Sequence, residues 1–362
     1  MNIHGLIIAG GKGTRMRPLT DPHQARFALP KHLLTVCGLP LCESGLNVLN
    51  RAGIKDNSVR VHHLYERIQS YFGKRLQCFD GEYGPGGDVV SFADQRDLKA
   101  DDILVVLSGE YAHNFDLKNM LERVKDAVIN GATVEVTQKS VEPEDQFRKI
   151  ESIVALQDLK RAGCYIFSGS TLSKLTGFTK CGLSNDLLGE ILRRKLPLYS
   201  AALPDSQYAF EADTLLQLWQ ANMDAVSGKT GIDFKKNDNR KSYSGVGIFP
   251  PVWIGKGVKI GNGSIVGPYT VIGPGYTIGN YAKVTGSVLF STAGLCGEKE
   301  IGNISDNTSI LMSMVASSRI PANKRIEFQL AYSDPKEIFT LSPLEFDKEF
   351  CYKRIAEKSL KS

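Results

Sequence analysis

The sequence predicts an α/β chain: a domain with a mostly parallel sheet, followed by a short three-sided solenoid. Three observations predict it. From Met1 to about Gly228, apolar strand-like runs alternate with segments of helical period. From Ile254 onward, aliphatic residues recur every six positions. Between the two lies "KTGIDFKKNDNRKSYSGVG", polar and lysine-rich, with the composition of a linker.

The first region opens on the strand "HGLIIAG". "ESGLNVLNRAG" has helical spacing and stops at Gly53. "ILVVLSG", "ATVEVTQ" and "RAGCYIFSG" are expected as buried strands, with "LKNMLERVKDAVINGA" and "NDLLGEILRRKL" as helices between them. Such alternation implies a sheet covered on both faces. In the solenoid, Ile254, Ile260, Val266, Ile272, Ile278 and Val284 begin consecutive hexads. Glycine follows in the first five, at Gly255, Gly261, Gly267, Gly273 and Gly279. Neither a flat strand nor a helix has this period. A triangular coil does: aliphatic residues point inward and glycine is expected to let the chain turn each corner. The pattern breaks at "FSTAGLCGEKE" and returns at Ile320 and Ile326. The last segment, "SPLEFDKEFCYKRIAEK", starts with a capping box, Ser342 and Glu345, and predicts a short helix.

Composition excludes several function classes. Hydrophobic residues make up 42% and charged residues 23%, which fits a soluble globular chain. The net charge of +5 is spread without a basic stripe, so nucleic acid is not an expected partner. No apolar run approaches the ~18 residues of a membrane span, and no signal-peptide pattern precedes the first strand. Seven scattered cysteines form no metal spacing, and their odd number predicts reduced thiols and a cytoplasmic setting. All six histidines lie at or before His113, so no histidine base stands on the solenoid, as an acyltransferase of that shape would need. No acidic ribose-binding residue follows a clean dinucleotide fingerprint, which excludes a dehydrogenase.

The first strand runs into "AGGKGTRMRPLT". Gly10, Gly11 and Gly13 allow close backbone approach to an anion, and Arg15 and Arg17 add fixed charge suited to phosphate oxygens. The stretch is neither a Walker loop nor a GxGxxG. Together with "LPKHLLTVCGLPL", it resembles the signature of the sugar-1-phosphate nucleotidylyltransferases, or NDP-sugar pyrophosphorylases. Ala9 to Thr20 matches the first half of that signature almost completely. Pro30, Lys31, Leu33, Leu34, Val36, Gly38, Pro40 and Leu41 match the second half. "RAGI", "VVLSGEYAHNFDL", "RAGCYIF" and "YAFEADTLLQLWQAN" continue the likeness through most of residues 1–225.

The resemblance implies a Rossmann-like nucleotidyltransferase domain, 1–228, a linker, 229–247, and a left-handed β-helix, 248–327. A tail, 328–362, follows. It also implies an enzyme that joins a sugar 1-phosphate to a nucleoside triphosphate and releases pyrophosphate, with Mg²⁺. By matching positions, Ala9, Gly10, Gly11, Gly13 and Thr14 hold the nucleotide, with Gly86 and Gly87 on its base side. Arg15 and Lys31 neutralise the reacting phosphates. Glu110 and Glu211 occupy the two metal-ligand positions, where the family carries aspartates.

Other positions depart from the family. Its WxDxGT motif reads Ala209, Glu211, Asp213, Thr214 here, and Asp213 is a substitute metal ligand if the register shifts. Arg161 replaces the asparagine of "NAG", and no clear sugar-phosphate lysine precedes it; Lys149 and Lys160 are the nearest. His23 and Arg26 lie on a lengthened loop beside the triphosphate position. These departures keep an alternative open: a weak or inactive paralogue that binds nucleotide or nucleotide sugar as a regulatory or scaffolding subunit. The exposed end of a solenoid predicts association, with further copies or with an active relative.

Overall fold

The computed structural model describes residues 1–23, 28–81, 83–138, 147–232, 234, 243–292, 295, 302–316, 319–327, 329–333 and 338–341. Arg26, residues 233 and 235–242 of the predicted linker, and the C-terminal helix expected at Ser342 lie outside these residues. The chain divides into two compact units. One comprises Met1–Lys12, His32–Leu34 and Pro40–Glu211; the other comprises Gly13–Lys31, Thr35–Leu39 and Ala212–Ser362.

The first unit is built on an eight-stranded sheet. Its order is Gln77–Asp80, Asp56–Val61, Ile3–Ala9, Ile103–Ser108, Arg161–Ser168, Thr133–Thr137, Leu198–Ala202, Phe147–Lys149. The first four run parallel. Arg161–Ser168 enters antiparallel to both of its neighbours, so the sheet is mixed. Apolar runs form the central strands because both faces are covered. On one face Leu6, Ile8, Leu104, Val106, Tyr165 and Phe167 pack with Val89, Val90 and Phe92 of the helix Gly84–Gln95. On the other lies the helix Leu41–Arg51, which buries Leu46, Val48 and Leu49. It ends at Gly53, whose φ of 81° only glycine adopts freely.

The second unit holds the three-sided parallel β-helix of the left-handed class. Its three sheets stack interior residues in register. Ile254 pairs with Ile272 and then Leu289. Ile260 leads to Ile278, Ile304 and Ile320, and Val266 to Val284, Ile310 and Ile326. The weak return of the hexads at Ile320 and Ile326 is therefore a full continuation of the coil. An antiparallel strand, Ile338–Leu341, covers the edge of Leu330–Ser333.

Of the five glycines that follow the aliphatic residues, Gly267 turns the chain as expected, with φ 95°, and the other four have a different role. Left-handed φ falls two residues later, at Gly257, Gly263 and Gly275. At Gly255 and Gly261 a Cβ would stand 2.6 Å from the backbone nitrogens of Pro274 and Asn280. Those positions are small because the next coil passes against them.

The helix Leu215–Val226 belongs with the second unit. Asn222 donates to the Thr35 carbonyl at 3.1 Å and accepts from the Cys37 amide at 2.9 Å. Trp219 Nε1 donates to the Gly286 carbonyl at 2.9 Å.

Candidate functional site

The candidate residues fall into two groups, one in each unit. In the first unit, Ala9 ends the strand Ile3–Ala9, and Gly10 and Gly11 follow it at the C-terminal edge of the parallel strands. Ile8 pairs with Ser108 across the ladder, and the Gly109 amide donates to the Ile8 carbonyl at 2.8 Å. Glu110 therefore emerges at the same edge, on the neighbouring strand. Open α/β sheets bind ligands at this edge.

Glu211 reaches that region along a different path. It ends the strand Tyr208–Glu211, which pairs antiparallel with Tyr111–Asn114. Glu211 is the cross-strand partner of Tyr111, and Glu110 precedes Tyr111 in the chain. The Tyr111 hydroxyl carries the imprint of both: burial, then Glu211, Tyr165 and Glu110, push its pKa upward. The two predicted metal positions are thus brought to one place, half-buried, as hard oxygen donors. No cluster of three or more potential ligands exists among the described residues. A pair of carboxylates completed by water and substrate phosphate is the donor set magnesium commonly takes.

Beyond this pair, Arg161 sits at the start of its strand with Nε 3.0 Å from Glu135 Oε1. It also donates to Asn185 Oδ1 at 3.2 Å. Glu135 is fully buried in the strand Thr133–Thr137. Burial pushes its carboxyl up to about 7, against the pull of Arg161. Because the folded value exceeds the ordinary 4.5, the folded chain holds this proton more tightly than the unfolded one. Its stabilising contribution is full below pH 4.5 and is lost as pH rises to about 7. Glu135→Gln is therefore expected to flatten the melting temperature of the chain across that window, measured by thermal unfolding at stepped pH.

Lys149 and Lys160 are exposed, and Lys149 lies 3.5 Å from Glu151. His23 is exposed, with its amide on Asp21 Oδ1. Gly86 and Gly87 begin a helix and are buried. Both of their amides donate to the Cys181 carbonyl, at 2.9 and 3.4 Å. A Cβ at Gly86 would stand 2.3 Å from the Gly182 carbonyl oxygen. Close packing against residues 180–182 accounts for these glycines, and their amides are already engaged.

In the second unit, Gly13 turns with φ 64° into the short helix Thr14–Met16, and Thr20 Oγ1 donates to its carbonyl at 2.8 Å. A Cβ there would lie 3.0 Å from Thr20 Cγ2 and 3.1 Å from Lys31 Cβ. Gly13 thus lets the Lys31 stem pass beside the turn. Gly13→Ala is expected to cost about 1–2 kcal/mol from the left-handed φ alone. Thermal unfolding checks the stability loss, and phosphate binding should weaken with it.

Lys31 Nζ lies 3.0 Å from Asp213 Oδ1, and Arg15 Nη1 donates to Asp213 Oδ2. The Lys31 side chain is 8% exposed, Asp213 12% and Arg15 71%. Asp213 precedes the helix Leu215–Val226 and is held by its capping box. Gln217 Oε1 accepts from the Asp213 and Thr214 amides at 3.1 and 2.9 Å. The partnership of Asp213 with both cations was not legible in the sequence. Its one signal was a carboxylate at a position where the resembling motif has glycine.

Residues 4–152 match the family model described as nucleotidyl transferase. A UTP–glucose-1-phosphate uridylyltransferase of Synechocystis is 30% identical over 226 residues, 54% of this chain and 56% of that protein. A mannose-1-phosphate guanyltransferase of Hypocrea jecorina is 27% identical over 191 residues, 47% of this chain and 51% of that one. A solved Bacillus anthracis structure, provisionally named a glucose-1-phosphate thymidylyltransferase, aligns with TM-score 0.47 at 18% identity. It covers 61% of this chain and 94% of its own. The chain spans about half the length of these two curated relatives.

Proposed function

We propose, from the match of residues 4–152 to the nucleotidyl transferase family model, that this chain joins a sugar 1-phosphate to a nucleoside triphosphate. The observation that carries the reading is the pair of cations, buried Lys31 and exposed Arg15, set around the Gly13 turn. A polyphosphate needs such charge.

In the reaction, a phosphate oxygen of the sugar 1-phosphate attacks the α-phosphorus of the triphosphate. The bond from that phosphorus to the bridging oxygen breaks, and its electron pair leaves with pyrophosphate. No proton transfer and no covalent enzyme intermediate are required, so the protein contributes position and charge. Ala9, Gly10, Gly11, Gly13 and Thr14 supply backbone to the nucleotide. Lys31 balances charge building on the reacting phosphates, and Arg15 holds the departing oxygens. Glu110 and Glu211 are the residues that would hold Mg²⁺, which when bound withdraws charge from the phosphates.

The relatives direct the choice of substrates. Glucose 1-phosphate and mannose 1-phosphate, each with UTP, GTP or dTTP, are tested first for pyrophosphate release with Mg²⁺ and with Mn²⁺. Metal-dependent release with one pair establishes the transferase. No release with any pair, while a nucleotide still raises the melting temperature, would make the chain a nucleotide-binding subunit. Light scattering on the same preparation measures whether copies associate through the solenoid.

A further inference from the structure

The two cations of the second unit already hold an anion, and the chain supplies it. Asp213 presents one carboxylate oxygen to Lys31 and the other to Arg15. A carboxylate bridging two donors in this way reproduces one edge of a phosphate group. Its backbone is anchored, because its own amide donates to Gln217 Oε1 at 3.1 Å, so the carboxylate leaves the cations by a turn of the side chain alone. The Lys31 stem is buried beside Gly13, which holds its ammonium at the turn.

We propose that Asp213 is a resident anion at the phosphate grip, which an incoming polyphosphate must displace from Lys31 and Arg15. The inference rests on the reading of those two cations as phosphate ligands. Asp213 is a positioning residue in this scheme. It keeps both cations oriented and compensated before substrate arrives, and it lowers affinity for the polyanion. The same exchange in reverse returns the carboxylate to the cations as pyrophosphate departs, so tight product binding is avoided. No bond is made or broken; only ion-pair partners change.

Two opposed readouts separate this from a merely structural aspartate. Asp213→Asn removes the charge with little change in shape. Its stability should fall, because buried Lys31 loses the carboxylate that compensates it. Its affinity for inorganic tripolyphosphate, titrated by calorimetry at fixed ionic strength, should rise on the order of tenfold. A structural aspartate would lower both. Unchanged or weaker tripolyphosphate binding by folded Asp213→Asn overturns the proposal.

If that variant fails to fold, the double variant Lys31→Gln/Asp213→Asn removes charge from both partners. It should bind tripolyphosphate more tightly than Lys31→Gln alone, through the released Arg15; equal binding overturns the proposal. Lys31→Gln and Arg15→Gln in the otherwise unaltered chain test the underlying reading. If both bind tripolyphosphate like the parent, the cations are not phosphate ligands, and the reading fails with the inference. If both weaken it while Asp213→Asn does not tighten it, only the inference fails.

Discussion

Lys31→Gln is expected to lower kcat/KM for nucleotidyl transfer by roughly 10²–10³-fold, the usual loss when one preorganised charge is removed from a water-poor site. The depth of the side chain sets the size of the effect. At 8% exposure the ammonium acts in a medium that screens it little. Arg15 makes the contrast. It shares the same aspartate but is 71% exposed, so solvent and salt screen it. Arg15→Gln should therefore cost less and lose its effect faster as ionic strength rises. The fold should survive Lys31→Gln, because Asp213 keeps Arg15 as partner. Steady-state kinetics at two salt concentrations, with melting temperatures as a control, give the ranking. An equal loss for both variants would contradict it.

Tyr276→Ala is expected to destabilise the second unit by about 3–5 kcal/mol, the range for removing a buried aromatic ring. Tyr276 occupies a hexad position that elsewhere carries Ser264, Thr270 or Ala282. Its ring lies inside the coil with no exposed surface, and its hydroxyl donates to the Phe290 and Val315 carbonyls at 2.8 and 3.2 Å. The space comes from Gly302, where a Cβ would stand 2.0 Å from the Tyr276 ring. The two positions form one packing unit. Gly302→Ala should be severely destabilising alone and far milder beside Tyr276→Ala, a coupling that a double-mutant cycle measures. Both tryptophans of the chain, Trp219 and Trp253, lie in this unit, so intrinsic fluorescence follows its unfolding.

Much of the architecture was legible because it repeats. Six aliphatic residues at one spacing specify inward positions without any tertiary knowledge, and the structure stacks them. Strand and helix alternation likewise placed the central strands, since runs such as "ILVVLS" are buried on both faces. Strand direction carries no such period, and the antiparallel entry of Arg161–Ser168 was not readable from residues that look like any buried strand. Glu135 was hidden for a related reason. In "TVEV" the acid reads as the polar half of an alternation, yet it faces Arg161 with no exposed surface.

The candidate site divided in the same way. Ala9, Gly10, Gly11, Gly13, Arg15 and Lys31 stood within one local signature, so the resemblance could propose roles for them. The hold of Asp213 on Lys31 spans 182 residues, and nothing local announces it. Gly86 and Gly87 were placed by resemblance alone, and their close packing against residues 180–182 is a tertiary fact that no local pattern announces.

The stacked coil also has a metre, and its irregularities show where it can be rewritten. The inward position on one side advances by 18 residues from Ile254 to Ile272 and by 17 to Leu289. It then advances by 26 residues to Val315 and by 16 to Ala331. The beat on each side is kept throughout, and all variation in length falls in the connections. A residue added within a side would turn every following side chain inside out. One added at a corner leaves the beat intact. The step from Leu289 to Val315 already carries eight residues more than the step from Ile254 to Ile272 (26 against 18), so the sequence between these strands is where an added reporter peptide is expected to leave the coil intact.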